Sequence, residues 1–214
     1  DHFTYALVSD GDLMEGISHE AASLAGHLGL GKLVYLYDDN SITIEGETDL
    51  ATSEDTAGRF ESYGWHVQKI DGHDRQAIAA ALESARAETA RPSIIIAKTT
   101  IGFGSPNKSG TSGVHGSPLG DEECGLTREA LGWNHPECTV PDEVRELFLE
   151  PGTAGAEKHS AWNELFADYR EKNPEKAAGW DRMQAGDLPA DLRDSLPVFE
   201  SSEGSISTRA ASGK

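Results

Sequence analysis

The sequence has 214 residues, enough for one domain of ordinary size. Its 37 acidic residues outnumber its 18 basic residues, and the formal net charge is −19. This charge argues against nucleic acid and anionic membranes as partners, because both bind basic surfaces. No stretch approaches the roughly 18 apolar residues of a membrane span. The two cysteines, Cys124 and Cys138, form no CxxC pair, so we predict a reducing, cytoplasmic location without disulfides or structural zinc.

Residues 3–100 alternate between strand and helix patterns. Helices are predicted around Ile17–Leu28, Ser53–Tyr63 and Ile78–Ala85. The first carries an apolar face made of Ile17, Ala21, Leu24, Ala25 and Leu28. Short apolar runs between Gly, Asp and Pro residues predict four strands, at Phe3–Val8, Leu33–Tyr37, His66–Ile70 and Ser93–Lys98. Strands that alternate with helices predict an α/β fold, a parallel sheet with helices on both faces.

The pattern changes after Thr100. Residues 101–120 are rich in Gly, Ser and Pro and predict a long loop, which in a domain is usually functional or disordered. Further helices are predicted at Leu126–Trp133, Asp142–Leu149, Ala156–Tyr169 and Pro174–Gln184. Pro, Ser, Asp and Gly dominate from Gly186 onward. We therefore predict a domain over residues 1–185 and a linker over residues 186–214.

Two polar residues follow predicted strands that a helix separates. Asp10 comes after the first strand, and Asn40 follows the second. Parallel strands end on one edge of a sheet, so we expect the two side chains to meet there, at a helix N-terminus that favours phosphate. With a backbone carbonyl, they would form half a shell for Mg²⁺ or Ca²⁺, which a ligand diphosphate would complete. Each residue alone is better explained as a turn or helix cap, and it is their placement as a pair that favours a shared site.

The glycine-rich loop leaves the fourth strand at the same edge and contains His115. A histidine in such a loop is a candidate for proton transfer or phosphate binding, and an exposed residue without a role is the alternative. His73 follows the third strand, where opening a helix is its simplest explanation. Glu15 and Glu20 lie on the first helix and are equally well explained as solvated side chains.

Several long runs resemble transketolase over nearly the whole chain. Thiamine-diphosphate enzymes share a Gly-Asp-Gly motif that is followed, about thirty residues later, by Asn. In this sequence the motif stands as Ser9-Asp10-Gly11 and Asn40, and Ser9 departs from the first Gly. The narrower resemblance lies in Asp12–Leu28, Tyr37–Ile44, Tyr63–Trp65, Lys98–Ser105 and Val114–Gly116.

The resemblance implies roles at matching positions. Asp10, Asn40 and the carbonyl of Ile42 would bind Mg²⁺ or Ca²⁺, and Gly11 would contact the diphosphate of the cofactor, thiamine diphosphate. His115 would act in catalysis and touch the diphosphate. Ile44 and Ile101 would contact the cofactor, and Glu15 and Glu20 would lie at a homodimer interface. Ser112 departs from the family, where many relatives carry histidine.

The resemblance also implies a reaction. A transketolase moves a two-carbon ketol unit from a ketose phosphate to an aldose phosphate, in the pentose phosphate pathway or the Calvin cycle. Transketolases are about three times as long, so we expect this chain to be the second half of a diphosphate-binding domain plus its linker, inactive alone. The alternatives are a dihydroxyacetone or deoxyxylulose phosphate synthase, and a non-catalytic Mg²⁺–diphosphate-binding module.

Overall fold

The computed structural model describes residues 2–200, 202 and 204–213. Contacts divide the chain into two compact units, Asp1–His135 and Pro136–Lys214. The sequence predicts a boundary between functional domains after residue 185. A division by contacts does not test that boundary, so the boundary stays a prediction. Among the described residues, no helix is long and apolar enough to cross a membrane.

The first unit is built on a four-stranded parallel sheet in the order β1-β2-β4-β3. The sheet confirms the predicted fold class and all four predicted strands, with ends that differ by one or two residues. The strands are β1 (Thr4–Ser9), β2 (Leu33–Asp39), β3 (His66–Asp71) and β4 (Ser93–Lys98). Among the described strands, β1 and β3 are the edges, and the apolar β4 lies inside, where both of its faces are buried.

Five helices belong to the first unit, and they cover both faces of the sheet as predicted. They are α1 (Asp10–Met14), α2 (Gly16–His27), α3 (Thr56–Ser62), α4 (Arg75–Ala87) and α5 (Asp121–Ala130). One core packs Trp65 and Phe60 against Ile94, together with alanines of α2. The other core packs alanines of α4 against Val34 and Ile95.

The helix predicted around Ile17–Leu28 corresponds to α2, but Glu15, which was predicted to lie on it, precedes it. Glu15 has an extended backbone (φ −67°, ψ 136°) and separates α1 from α2. The break suits Gly16, which is a poor helix former. Most of the predicted apolar face points outward: Ile17, Leu24 and Leu28 are 74%, 57% and 58% exposed, whereas Ala25 of that face is buried.

Small residues of α2 face the sheet instead of its large apolar residues. Ala22 and Ala25 are buried, and the indole of Trp65 donates a hydrogen bond to the carbonyl of Ala22 at 2.8 Å. A β-carbon at Gly26 would overlap the carbonyl oxygen of Tyr63. The helix therefore lies so close to its neighbours that only small side chains fit beneath it.

The second unit is helical and contains α6 (Asp142–Lys172), α7 (Pro174–Ala185) and α8 (Thr208–Ser212). The two helices predicted at Asp142–Leu149 and Ala156–Tyr169 are one helix, which runs through Pro151. Phe166 on α6 packs against Trp180 on α7, with ring centroids 5.8 Å apart. Part of the predicted linker is helical: α8 lies within it, and the side chain of Ser207 caps the start of this helix.

Candidate functional site

The parallel register brings Asp10 and Asn40 to adjoining strand ends. Val8 pairs with Tyr37 and Ser9 with Asp38, so Asp10 begins α1 directly beyond the end of β1. Asn40 is the first residue after β2. The two predicted metal ligands therefore leave neighbouring strands at one edge of the sheet.

Asp10 is a buried carboxylate with one occupied oxygen and one free oxygen. Its side chain is 6% exposed, and its Oδ1 accepts a hydrogen bond of 2.5 Å from the hydroxyl of Tyr37. Its Oδ2 is buried and has no hydrogen-bond partner among the described residues. A buried acceptor without a partner costs free energy and calls for a ligand, an ion or a water molecule.

Burial changes the acidity of both members of this pair. The pKa of Asp10 is raised above its usual range by burial, although the hydrogen bond from Tyr37 acts in the opposite direction. The pKa of Tyr37 is raised far above its usual value by burial and by the neighbouring Asp10. The phenol therefore keeps its proton and serves as the donor.

A tight turn after β2 sets the side chain of Asn40. Its Oδ1 accepts a hydrogen bond from the backbone N–H of Ile42 at 3.0 Å, and its Nδ2 donates to Asp38 at 3.2 Å. Ser41 has a left-handed backbone with φ 62°, which is uncommon for a residue other than glycine. This turn holds the amide oxygen of Asn40 and the buried Ile42 close together in space.

Charged side chains surround a cavity of about 440 Å³ beside this edge. Its walls include Asp10, Tyr37, Asp39, Arg59 and Lys98. Lys98 lies 3.2 Å from a carboxylate oxygen of Asp39. Arg59 pairs with Glu54 at 2.7 Å and donates a hydrogen bond of 3.1 Å to the carbonyl of Leu13. The walls of the cavity therefore carry charges of both signs beside apolar side chains such as Leu13 and Ile96.

The glycine-rich loop folds back on its own start. The N–H of Gly110 donates to the carbonyl of Ile101 at 2.8 Å. Gly102 has φ +65°, and a β-carbon there would come within 3.0 Å of Val114, so a side chain would crowd this contact. The loop thus brings the residue before His115 against the residue after Ile101.

His115 is exposed and follows a short 3₁₀ turn that contains Ser112. No hydrogen bond between His115 and Asp10 is found in the described part of the chain. The joint action of the two residues at one site therefore stays a prediction.

Two anchors of this loop were missed in the sequence. Glu123 on α5 is buried and accepts hydrogen bonds from the hydroxyl of Ser105 and from the backbone and side chain of Asn107, the last two at 2.9 Å each. His73 accepts from the N–H of Thr100 at 3.0 Å and stacks on Phe103 with centroids 4.0 Å apart. In the sequence, Glu123 looks like any acidic residue in the first turn of a helix. Its burial and its contacts with the loop are visible only in the folded structure.

The remaining predicted site residues are exposed. Ile44 is 70% exposed, Gly11 lies open in the first turn of α1, and Glu15 and Glu20 face outward at the start of and within α2. The predicted phosphate-binding helix start is a five-residue helix whose first turn holds Asp10 and Asp12. These acidic side chains offset the positive end of the helix dipole.

The residues present fit a single divalent cation with oxygen ligands. Among the described residues, no three His, Cys, Asp or Glu side chains converge as a metal site. The predicted set has only one carboxylate, which is buried and has an unpartnered oxygen. Such a set suits a hard cation that takes its remaining ligands from a diphosphate and water.

Comparisons with solved structures give the same fold. The transketolase of Pichia stipitis in complex with sedoheptulose-7-phosphate aligns with a TM-score of 0.84 and 42% identity, over 98% of this chain and 31% of that one. The transketolase of Leishmania mexicana aligns with a TM-score of 0.83 and 37% identity, over 94% and 30% of the two chains.

Sequence comparisons extend over the whole chain. Transketolase 1 of Vibrio cholerae is 49% identical over 217 residues, which cover 99% of this chain and 32% of the relative. The transketolase of Geobacillus stearothermophilus is 50% identical over 220 residues, which cover 100% and 32%. This chain thus spans about a third of the length of its curated relatives. Residues 1–189 match the model of the transketolase, thiamine diphosphate binding domain, and the chain belongs to that family.

Proposed function

We propose that this chain is the diphosphate-binding part of a transketolase, which transfers a two-carbon ketol unit from a ketose phosphate to an aldose phosphate. The observation that carries the proposal is the unpartnered, buried Oδ2 of Asp10 at the sheet edge, in a chain that matches the model of a thiamine diphosphate binding domain. A buried carboxylate oxygen is stable only when a cation or a donor reaches it. This unpartnered oxygen therefore supports the proposal of a bound cation.

Asp10, Asn40 and the carbonyl of Ile42 are the proposed ligands of Mg²⁺ or Ca²⁺. Asp10 supplies the one negative charge of the set, and the turn over residues 40–42 supplies two neutral oxygens. The chain carries a net charge of −19, so a bound cation is the simplest way to hold a diphosphate here. Gly11 would contact that diphosphate through its backbone.

The glycine-rich loop supplies the proposed proton-transfer residue. His115 is exposed to incoming sugar phosphates, and its backbone is held by the N–H contact to Ser112 at 3.0 Å. Ile101 at the start of the loop and the exposed Ile44 would pack against the cofactor. Thiamine diphosphate, when bound, supplies the nucleophilic carbon and the electron sink of the reaction. The protein residues position the cofactor, exclude water and move protons.

Dimerisation through α2 is part of the proposal. The outward side chains Ile17, Leu24 and Leu28 give this short helix an apolar surface, and Glu15 and Glu20 lie among them in sequence. Large exposed apolar side chains on one element are typical of an interface. The glutamates would then become buried and couple the two subunits, as the resemblance implies.

The cellular setting follows from the proposed reaction. Sugar phosphate transfer of this kind belongs to the pentose phosphate pathway or the Calvin cycle, and a cytoplasmic location remains our prediction. The net charge of −19 argues against a nucleic-acid or anionic-membrane partner.

Replacing the metal ligand tests the proposal. In the full-length protein that contains this chain, we expect Asp10→Ala to abolish Mg²⁺-dependent retention of thiamine diphosphate and ketol transfer, because the cation loses its only anionic protein ligand. The measurement is calorimetric titration of thiamine diphosphate with and without Mg²⁺, beside a coupled transfer assay. Asp71→Ala, an exposed carboxylate at the end of β3, is the matched control. Normal cofactor affinity in Asp10→Ala would refute the proposed site.

A further inference from the structure

We propose that Tyr37 is a positioning residue that holds Oδ1 of Asp10 and so presents the carboxylate to the cation through Oδ2 alone. The inference rests on the proposed metal site and adds a residue and a mode of binding to it. It predicts that one phenol hydroxyl sets both the strength and the selectivity of metal binding. The evidence is the geometry of two buried side chains.

The first step is the contact itself. Tyr37 lies on β2 with its ring in the core beside Leu13 and Ile96, and its side chain is 6% exposed. Its hydroxyl donates to Oδ1 of Asp10 at 2.5 Å across two neighbouring strands. Since the side chain is packed into this core and nearly buried, its packing limits where the hydroxyl can lie.

The second step is the asymmetry of the carboxylate. Oδ1 has a strong partner, whereas Oδ2 is equally buried and has none among the described residues. The phenol hydroxyl is the donor of this pair, because the carboxylate oxygen of Asp10 accepts. One oxygen is therefore occupied by a donor, and the other is left as the ligand.

The third step concerns the choice of cation. Mg²⁺ requires nearly octahedral coordination and binds carboxylates through a single oxygen, whereas Ca²⁺ also accepts both oxygens of one carboxylate. A donor fixed on Oδ1 opposes two-oxygen binding. Tyr37 therefore favours Mg²⁺ over Ca²⁺ at this site, and removal of its hydroxyl releases the carboxylate to bind either way.

The test compares two variants that each remove one hydroxyl from β2. Tyr37→Phe removes the donor. Tyr35→Phe is the matched control, because Tyr35 lies on the same face against Trp65, with centroids 4.8 Å apart, and its hydroxyl has no hydrogen bond among the described residues. Dissociation constants for Mg²⁺ and Ca²⁺ are measured by calorimetry in the full-length protein at saturating thiamine diphosphate.

We expect Tyr37→Phe to weaken Mg²⁺ binding about tenfold, the usual effect of losing a hydrogen bond to a charged group. Ca²⁺ binding should weaken less, so the preference shifts toward Ca²⁺ by about threefold or more. Tyr35→Phe should change neither constant by more than about twofold. A purely structural role of Tyr37 would lower the melting temperature and affect both cations alike.

The outcomes separate this inference from the proposed function. If Asp10→Ala loses metal-dependent cofactor binding while Tyr37→Phe matches Tyr35→Phe, the positioning role is wrong and the metal site stands. If Asp10→Ala binds normally, the proposed function itself fails. An equal loss of both cations in Tyr37→Phe also overturns the selectivity argument.

An infrared measurement covers the case in which Tyr37→Phe does not fold. Difference spectra on addition of Mg²⁺ to the unsubstituted protein, with aspartate carboxyl groups labelled with ¹³C, report whether a carboxylate binds through one oxygen or two. We expect the one-oxygen pattern. A two-oxygen pattern with Mg²⁺ would overturn the inference without any variant.

Discussion

At the scale of single residues, a buried side chain and an exposed one have opposite roles in the proposed site. Asp10 is nearly buried, has one unpartnered oxygen and is the proposed anionic ligand of the cation. His115 is exposed on a loop, so its substitution leaves no cavity and no buried polar group without a partner. The two residues therefore call for different measurements.

We predict that His115→Ala impairs catalysis without impairing folding. Turnover in the full-length protein should fall by about 10²-fold or more, the range for a positioned proton-transfer group. The melting temperature should stay nearly constant, because the side chain is exposed. Steady-state kinetics and thermal unfolding of the same preparations provide the check, with the exposed His27→Ala as control. A large loss of stability with normal kinetics would reverse the assignment.

Glu123 gives a residue-scale prediction with a defined pH dependence. Hydrogen bonds from Ser105 and Asn107 hold the pKa of Glu123 below its usual value. The ionised form is thus favoured in the folded state, and its stabilisation is complete above the usual glutamate pKa of about 4.3 and is lost as the pH falls through the lowered pKa. Glu123→Gln should therefore be destabilising at pH 7 and nearly neutral in strong acid.

Thermal unfolding of both proteins from pH 7 to pH 2 tests this expectation. Hydrogen exchange of residues 105–111 should also become faster in Glu123→Gln at pH 7, because the loop loses its anchor. A Glu129→Gln variant, exposed on the same helix, controls for the loss of charge. A difference between Glu123→Gln and the unsubstituted protein that does not vary with pH would show that the carboxylate charge is not what holds the loop.

At the scale of elements, the sheet was predictable from the sequence and the helices less so. Each strand is a short apolar run between turn residues, and its position depends on local sequence. The outward face of α2 was missed because Ile17, Leu24 and Leu28 show the periodicity of a core-facing helix, whereas the alanines and Gly26 that contact the core depend on how closely the helix approaches its neighbours.

The same limit applies to the site. Asp10 and Asn40 could be found because polar residues after parallel strands meet at one edge. Tyr37 was hidden, since a tyrosine within an apolar strand is typical of a core residue, and its hydroxyl partner is fixed by the register of β1 against β2. Contacts across strands that depend on register cannot be read from one strand alone.

Pro151 provides a prediction about α6. The structure has one helix through this residue, where proline removes a hydrogen bond and crowds the preceding turn. If the helix is continuous, Pro151→Ala should stabilise the second unit by about 1–3 kcal/mol. Chemical denaturation, followed by circular dichroism, measures the effect, and Ala154→Gly should act in the opposite direction. No gain from Pro151→Ala would support the two shorter helices that the sequence predicts.

At the scale of the whole molecule, the first unit has an open strand edge with apolar side chains. Tyr5 and Leu7 on β1 are 49% and 83% exposed, and β1 has a neighbour on one side only among the described strands. Unpaired edges with apolar side chains tend to associate. The chain spans about a third of its relatives' length. In a protein of that length, other segments could cover this edge.

We therefore predict that the isolated 214-residue chain has no transketolase activity and self-associates. The proposed site holds one anionic metal ligand and an exposed histidine loop, which is too little to enclose a cofactor and exclude water. A coupled assay with a ketose phosphate donor and an aldose phosphate acceptor, run on purified chain with thiamine diphosphate and Mg²⁺, should give no turnover. Light scattering should show oligomers, and Leu7→Lys should reduce them because it places charge on the open edge. Sustained turnover that chelation of the metal abolishes would show that these 214 residues contain every essential group.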